Sequence, residues 1–333
     1  MKLIETISRA PVVAMLGMCK NAGKTTAMNT LIRNFPERSV LCVTSIGRDG
    51  ESRDLVTGTD KPAVWIREGM LAATASDLLP LCGVSREILS ATEIYTSLGE
   101  VIIFRARSDG FVQLAGPAII DQLGELRKKL EPFGPECILI DGALSRKSPL
   151  SAAADGVCIL STGASLDPDM DTVVSETAFA AGLLCLPAFP RAGDVDPQNR
   201  KTGRIRILHE DETSDYADSP ADIKALSETD CIIFPGALTE TQAQALLRSR
   251  AVKAGITVAA RDPSCLMLKR ETWQSLTARG ILFAVRDPAH LAAVTINPSS
   301  PEGRIFDPDL FLEKMRKAVS VPVLDVMHTS EED

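Results

Sequence analysis

The sequence lacks the signatures of several large protein classes. None of its 8 cysteines form a C-x-x-C pair, no two lie closer than Cys137 and Cys158, and no pair of histidines accompanies them, so a zinc site is not expected. Cys42 and Cys158 sit inside the apolar runs Leu41-Cys42-Val43 and Val157-Cys158-Ile159, where a reduced thiol behaves as a small buried hydrophobe, a usage that suits a reducing compartment. No apolar run approaches the roughly 18 residues that a membrane span needs. Met1 to Ala10 carries scattered charge where a secretion signal would be apolar. These absences predict a cytoplasmic chain that is neither exported nor membrane-spanning. Positive charge is also short: 36 Lys and Arg stand against 44 Asp and Glu, a net charge of −8. Nothing global therefore favours nucleic acid or an anionic membrane, and any anion site has to be local. The motifs G-x-G-x-x-G, H-E-x-x-H and G-x-S-x-G are missing too, which removes dinucleotide, zinc-protease and α/β-hydrolase readings.

What is present is a rhythm. Over 333 residues, with 45% apolar and 24% charged composition, short apolar runs ending in Gly or a turn alternate with helix-like stretches. That is the pattern of a mostly parallel sheet covered on both faces, an α/β fold of doubly wound type. Strands are predicted at Val12 to Leu16, Val40 to Thr44, Cys137 to Ile140, Gly156 to Leu160, Cys231 to Phe234, Ile256 to Ala259, Ile281 to Val285 and Ala293 to Ile296. Helices are predicted at Thr25 to Asn34, at Thr239 to Ser249 behind a Thr-x-x-Gln start, and at Asp307 to Ala318 behind Asp-Pro. Between Ile46 and Gly116 the alternation breaks: Ala63 to Ile66 and Glu100 to Arg107 read as strands of an antiparallel insertion covering about 60–115. Pro187 to Glu212 reads as an exposed loop or hairpin with one strand at Arg204 to Leu208. A boundary near residue 165 divides a first domain, 1–165, from a C-terminal α/β part, 166–333, that can continue the same sheet. Two Arg-Asp-Pro tripeptides, Arg261 to Pro263 and Arg286 to Pro288, look like the ends of parallel strands.

The most informative segment runs Pro11-Val-Val-Ala-Met-Leu-Gly-Met-Cys-Lys-Asn-Ala-Gly-Lys-Thr-Thr26, a strand, a turn and a helix start. Phosphate binding by such a loop needs backbone N–H groups, a lysine for the β and γ oxygens, and a hydroxyl for Mg²⁺. Lys24 and Thr25 fit the last two roles; Gly17, Asn21, Ala22, Gly23 and Thr26 complete the cradle. The first glycine of the usual spacing is replaced by Met18, with Gly17 one residue earlier. Asp141, after the apolar run Cys137 to Ile140 and before Gly142, has the context of a Mg²⁺-holding acid, although Asp-Gly is also a common turn pair. In the loop Thr44 to Glu51, Asp49 and Glu51 are candidates to reach metal or orient water and Arg48 to contact phosphate; Asp49-Gly50 reads equally as a tight turn. Lys24, Asp49 and Asp141 are thus the candidate catalytic residues. No N-K-x-D or T-K-x-D follows the strand ending at Leu160, which favours ATP over GTP. Arg105 and Arg107 share a strand face, available to phosphate, to a partner carboxylate or simply to water. His209, His290 and His328 read as surface residues.

With Gly-Met-Cys-Lys-Asn-Ala-Gly-Lys-Thr-Thr, the first 165 residues resemble the P-loop branch that includes dethiobiotin synthetase and the molybdopterin-guanine dinucleotide adaptor. A longer set of phrases resembles a narrower family: Thr44-Ser-Ile-Gly-Arg-Asp-Gly-Glu51, Asp54-Leu-Val-Thr-Gly-Thr-Asp-Lys-Pro62, Ser97-Leu-Gly-Glu100, Arg107-Ser-Asp-Gly-Phe111, Leu114-Ala-Gly-Pro117, Ile140-Asp-Gly-Ala-Leu144 and Thr295-Ile-Asn-Pro-Ser-Ser-Pro301. Together they are similar to the small subunit of the reactivase for lysine 5,6-aminomutase and ornithine aminomutase. That resemblance implies an ATP- and Mg²⁺-linked, chaperone-like role toward an adenosylcobalamin- and pyridoxal-phosphate-dependent aminomutase, promoting exchange of damaged cobalamin. It also implies a second reactivase subunit similar to mismatch-repair-type ATPases. In the dethiobiotin synthetase group a late loop reads the adenine edge, which makes Asn297 a candidate here; Asn-Pro as a plain turn initiator is the competing reading. Gly47 to Glu51 is the candidate nucleotide-sensing switch, and the inserted strands are a candidate partner surface. Two other functions stay open: a small-carboxylate kinase or ATP-dependent ligase resembling dethiobiotin synthetase, and a non-hydrolysing nucleotide-binding adaptor for a partner ATPase. The D-x-H-x-x-G pattern of many cobalamin domains is absent, so direct cobalamin binding is not expected.

Overall fold

The computed structural model describes residues 7, 9–46, 64–142, 156–191, 195, 203–224 and 226–326. In chain order they form β1 (Val12–Gly17), α1 (Lys24–Asn34), β2 (Leu41–Ser45), β3 (Val64–Ile66), β4 (Leu71–Ala75), β5 (Arg86–Thr96), β6 (Gly99–Ala106), β7 (Gly110–Val112), α2 (Ile120–Leu130), β8 (Cys137–Asp141), β9 (Val157–Gly163) and α3 (Met170–Leu184). There follow β10 (Ile205–Leu208), β11 (Ser214–Ala217), β12 (Cys231–Ile233), β13 (Leu238–Thr239), α4 (Glu240–Arg248), β14 (Thr257–Ala260), β15 (Leu266–Met267), α5 (Arg270–Ala278) and β16 (Leu282–Val285). The chain ends with β17 (Leu291–Asn297), α6 (Pro308–Ala318) and β18 (Val323–Asp325).

The chain divides into two compact units, Met1–Ala178 with His290–Asp333, and Phe179–Ala289. In the first, a nine-stranded sheet has the order β18-β17-β9-β1-β8-β2-β4-β6-β5. It is parallel from β18 to β4, and antiparallel only where β6 joins β4 and β5 joins β6. Its central strands are buried along their whole length because both faces are covered. Val13, Met15, Val43 and Leu139 meet Ala27, Met28, Leu31 and Ile32 of α1, whose apolar positions repeat at helical spacing. The alternate residues Val12, Cys42, Ile138 and Ile140 meet Leu123, Leu126 and Leu130 of α2 on the other face. Each such leucine removed from water contributes about 1.5–3 kcal/mol.

The antiparallel insertion is present, but it continues the main sheet: β4 runs parallel to β2, and β6 and β5 add to it in turn. The expected strand at Ala63 to Ile66 pairs apart from it, as β3 with β7. The division near residue 165 is corrected by the structure. The first unit extends through Ala178, and the chain re-enters it at His290. The physical reason is β17, an apolar strand whose backbone is satisfied in this sheet, by β9 along Val294↔Leu160 and Ile296↔Thr162 on one side and by β18 on the other.

The second unit is a five-stranded sheet of order β11-β10-β12-β14-β16. The β10–β11 hairpin, expected from Arg204 to Leu208, is antiparallel; β12, β14 and β16 are parallel. Ile232, Val258 and Phe283 pack with Leu246, Leu276 and Trp273 on one face. Ile233, Ala259 and Ala284 pack with Phe189, Val195 and Leu208 on the other. No helix among the described residues is long and apolar enough to cross a membrane.

Candidate functional site

β1 delivers a turn and a helix to the carboxyl edge of the large sheet. Gly17, its last residue, owes its identity to Lys24: a Cβ there would lie 2.8 Å from both Cδ and Nζ of that side chain. Lys24 therefore folds back across the end of its own strand. The turn that permits this holds Asn21 at φ 59° and Gly23 at φ 92°, both left-handed, before α1 begins right-handed at Lys24. Alternation of this kind forms anion-binding nests. No side chain caps α1 at Gly23, so its first N–H groups are left for another acceptor. Ala22 is buried, and Thr25 and Thr26 are half-buried in the first helical turn. Cys19, in the same turn, has its thiol pushed up by burial, against the lowering effect of Lys24.

β8 supplies the acid. Asp141 is paired in register with Met15 of β1 and Ser45 of β2, so it shares the edge with Lys24. Its Oδ1 is sealed from solvent with no hydrogen-bond partner among the described residues. Burial pushes its carboxyl above the usual range while the charge of Lys24 pulls it down. The two groups are close enough to feel each other, yet they form no ion pair. An orphaned buried carboxylate oxygen is costly unless something completes it. The carboxylate of Asp141 and the hydroxyl of Thr25 are oxygen donors of the kind that suits Mg²⁺, which prefers one or two protein oxygens plus phosphate and water.

The neighbouring strands brace this edge. Ser161 O, opposite Gly17, accepts the Met18 N–H at 2.9 Å. Behind it the buried hydroxyls pair off, Thr295 Oγ1 donating to Ser161 Oγ and Thr177 Oγ1 to Thr162 Oγ1, each at 2.8 Å. Asn297, the last residue of β17, donates through Nδ2 to Asn21 O at 3.3 Å; its Oδ1 accepts from Ser299 N–H and Oγ at 3.1 and 3.0 Å. The Asn297 amide thus braces the phosphate-loop turn. Gly163 must be glycine for the same packing, since a Cβ would meet Asn297 O at 2.4 Å. Ser161, Thr162, Thr177 and Thr295 are supporting residues that sequence reading passed over; hydroxyls inside apolar runs were the available signal.

Arg48, Asp49 and Glu51, and the switch expected at Gly47 to Glu51, lie outside the described residues. The strand that leads there is well anchored: Ile46 N–H donates to Asp141 O at 2.8 Å and Ser45 Oγ accepts from Gly116 N–H at 3.1 Å. Arg107 pairs with Glu87, whereas the Arg105 Nε is buried without a hydrogen-bond partner among the described residues. His290 is exposed and His328 lies outside the described residues. His209 is half-buried among carboxylates: its Nδ1 is 3.1 Å from Asp230 Oδ1 and its Nε2 is 3.3 Å from Asp215 Oδ2. Among the described residues no cluster of three or more His, Cys, Asp or Glu is placed to hold a metal. No protein-family model, curated protein or solved structure gives a match to the chain.

Proposed function

We propose that the first unit is a P-loop ATP-binding unit of a cytoplasmic reactivating protein. In this reading it serves an adenosylcobalamin- and pyridoxal-phosphate-dependent aminomutase, together with a second, ATPase-like reactivase subunit. The observation that carries the nucleotide part is Lys24 folded over Gly17 beside the orphaned Oδ1 of Asp141. Lys24 and the free N–H groups of α1 take the phosphate oxygens, and Gly17, Asn21, Ala22, Gly23 and Thr26 shape the cradle. Thr25 and Asp141 are the residues that would hold Mg²⁺, which neutralises charge on the phosphates when bound. The partner assignment is supported by the phrases between Thr44 and Pro301 that resemble the reactivase small subunit. A nucleotide state can drive cobalamin exchange only by binding the open aminomutase better than the closed one. Arg48, Asp49 and Glu51, following the anchored end of β2, are placed in sequence to sense that state.

A second reading is favoured by Met18. Its N–H is spent on Ser161 O, where a phosphate loop of the usual spacing has glycine. A cradle short of one donor suits an adaptor that holds nucleotide without turning it over. Calorimetric titration with Mg-ATP, against Lys24→Ala and a GTP control, tests the site: the wild type should bind ATP in preference to GTP, and Lys24→Ala should lose about 100-fold in affinity. Equal binding by both proteins sinks the assignment. Release of damaged cobalamin from the aminomutase, followed with and without the second subunit, then tests the partner. ATP binding without turnover would select the adaptor.

A further inference from the structure

The two Arg-Asp-Pro tripeptides have no part in that site. They follow β14 and β16 of the second unit, whose ladder continues past the strands: Arg286 N–H donates to Ala260 O at 3.0 Å and Asp287 N–H to Arg261 O at 2.8 Å. Arg261 and Arg286 therefore stand on adjacent strands at the carboxyl end of parallel β-structure, the edge at which open α/β sheets bind ligands. Like charges so placed are unfavourable, and the two aspartates offset them.

Identical tripeptides are used differently. Arg286 is spent: Nε and Nη2 hold Asp287 at 3.1 and 2.7 Å, and Nη1 donates to Val195 O at 3.1 Å. Arg279 in the same unit is spent too, its Nη groups donating to the carbonyls of Leu246, Leu247, Ser249 and Val252. Arg261 donates only through Nε, to Asp262 Oδ2 at 2.7 Å. Asp262 is 3% exposed and is itself fixed, its Oδ1 accepting from the N–H and hydroxyl of Ser264. The guanidinium is thus held along one edge while 33% of the side chain stays exposed. Among the described residues its two Nη groups make no hydrogen bond. A guanidinium oriented in advance, with an open pair of donors, matches a planar oxyanion.

We propose that Arg261, oriented by Asp262, binds the oxyanion of a small ligand, carboxylate or phosphate, at the carboxyl end of β14. A carboxylate offers two coplanar oxygens to the open pair of donors, and the charges of Arg286 and Asp287 cancel beside it, so carboxylate is the expected preference. The proposal stands apart from the nucleotide site. Its test follows the Arg261 Nε–Hε and the Ser264 and Asp287 amide resonances of the full chain by NMR. Acetate, phosphate and, at matched ionic strength, chloride are titrated into the Lys24→Ala variant, so that phosphate cannot act through the first unit. Acetate should give a saturable shift, phosphate a weaker one and chloride none. A tighter response to phosphate would keep the site and make a phosphate ester its ligand. Arg261→Lys, which keeps the charge at a half-exposed position and loses the paired donors, should weaken the amide response about tenfold. Asp262→Asn should do the same by releasing the Nε anchor, with a melting curve checking that the unit still folds. No saturable shift with either oxyanion, or an unchanged amide response in Arg261→Lys, overturns the assignment.

Discussion

Both units end parallel strands in acidic residues, and they treat them differently. In the large sheet Asp141 keeps a buried oxygen without a hydrogen-bond partner among the described residues, beside a lysine that touches it only through its field. In the small sheet Asp262 is saturated by Arg261 and Ser264. Saturated acids hold strand ends together. An unsaturated one leaves a local cost that a bound cation can remove, so unsatisfied polarity, more than charge itself, separates a ligand site from a structural ion pair.

The largest effect should come from attacking the saturated side. Arg279 binds four carbonyls at the end of α4, where its charge also meets the helix dipole. Arg279→Ala should cost about 3 kcal/mol of stability in urea denaturation. Mg-ATP affinity should not change, because the loss falls in the other unit. If affinity falls with stability, the two units are not independent and the contrast between them fails.

Gly17→Ala attacks the open side. A Cβ at 2.8 Å from Lys24 Cδ and Nζ must displace that side chain, and the displaced atoms are the far end of a flexible chain, so the fold should survive. Mg-ATP affinity should drop by about 1.5–3 kcal/mol, the worth of a charge-assisted hydrogen bond, with the melting temperature little changed. A stability loss in place of an affinity loss would make Gly17 a packing residue.

Much of this was legible in the sequence. Val12 to Leu16 and Cys137 to Ile140 showed as strands because burial on both faces makes them continuously apolar. Asp307-Pro308 and Thr239-x-x-Gln242 showed as helix starts, and Asp307 does accept from Leu310 N–H while Thr239 and Gln242 close a capping box. The tripeptides at Arg261 and Arg286 are parallel-strand ends, as expected. β4 and β5 were missed. Leu71–Ala75 is short and alanine-rich, and Arg86–Thr96 is a half-exposed edge strand with a bulge near Glu93, at φ 61°, that breaks its alternation. That the C-terminal part can continue the first sheet was open from the sequence, but the pairing of β17 with β9 was hidden, because local pattern reports that a strand is buried and says nothing of which strand it joins. Lys24 and Thr25 were singled out by spacing and Asp141 by its place after an apolar run; the bracing amide of Asn297 depends on pairing between residues 276 apart in the chain.

Asp141→Asn sharpens the comparison by making the two sides alike. A neutral amide removes the buried charge, so the ligand-free protein should gain about 1–2 kcal/mol while Mg²⁺ dependence of nucleotide binding is lost. The pH dependence fixes the cause. Burial raises the folded-state pKa of Asp141, so as pH climbs from about 4 the unfolded chain ionises first and the wild type loses stability until the folded pKa is passed. The variant should show no such loss, and its advantage should grow across that window and then level off. A constant advantage at all pH values would assign the gain to packing.

The smallest effect is expected where a buried acid already has its cation. Hydrogen bonding to Asp230 raises the His209 pKa most; burial opposes the rise, and the Asp215 hydrogen bond and both carboxylate charges add to it. The sign is opposite to that at Asp141: the stabilisation is complete below the unfolded value of about 6.5 and is lost as pH rises through the higher folded value. Since Asp215 is largely exposed, solvent screening holds the effect under about 1 kcal/mol. His209→Gln should therefore destabilise the protein modestly near pH 6 and hardly at all near pH 9, read as the shift in urea midpoint at constant slope. A deficit that persists at high pH would assign the loss to the packing of neutral His209 and not to its charge beside Asp230.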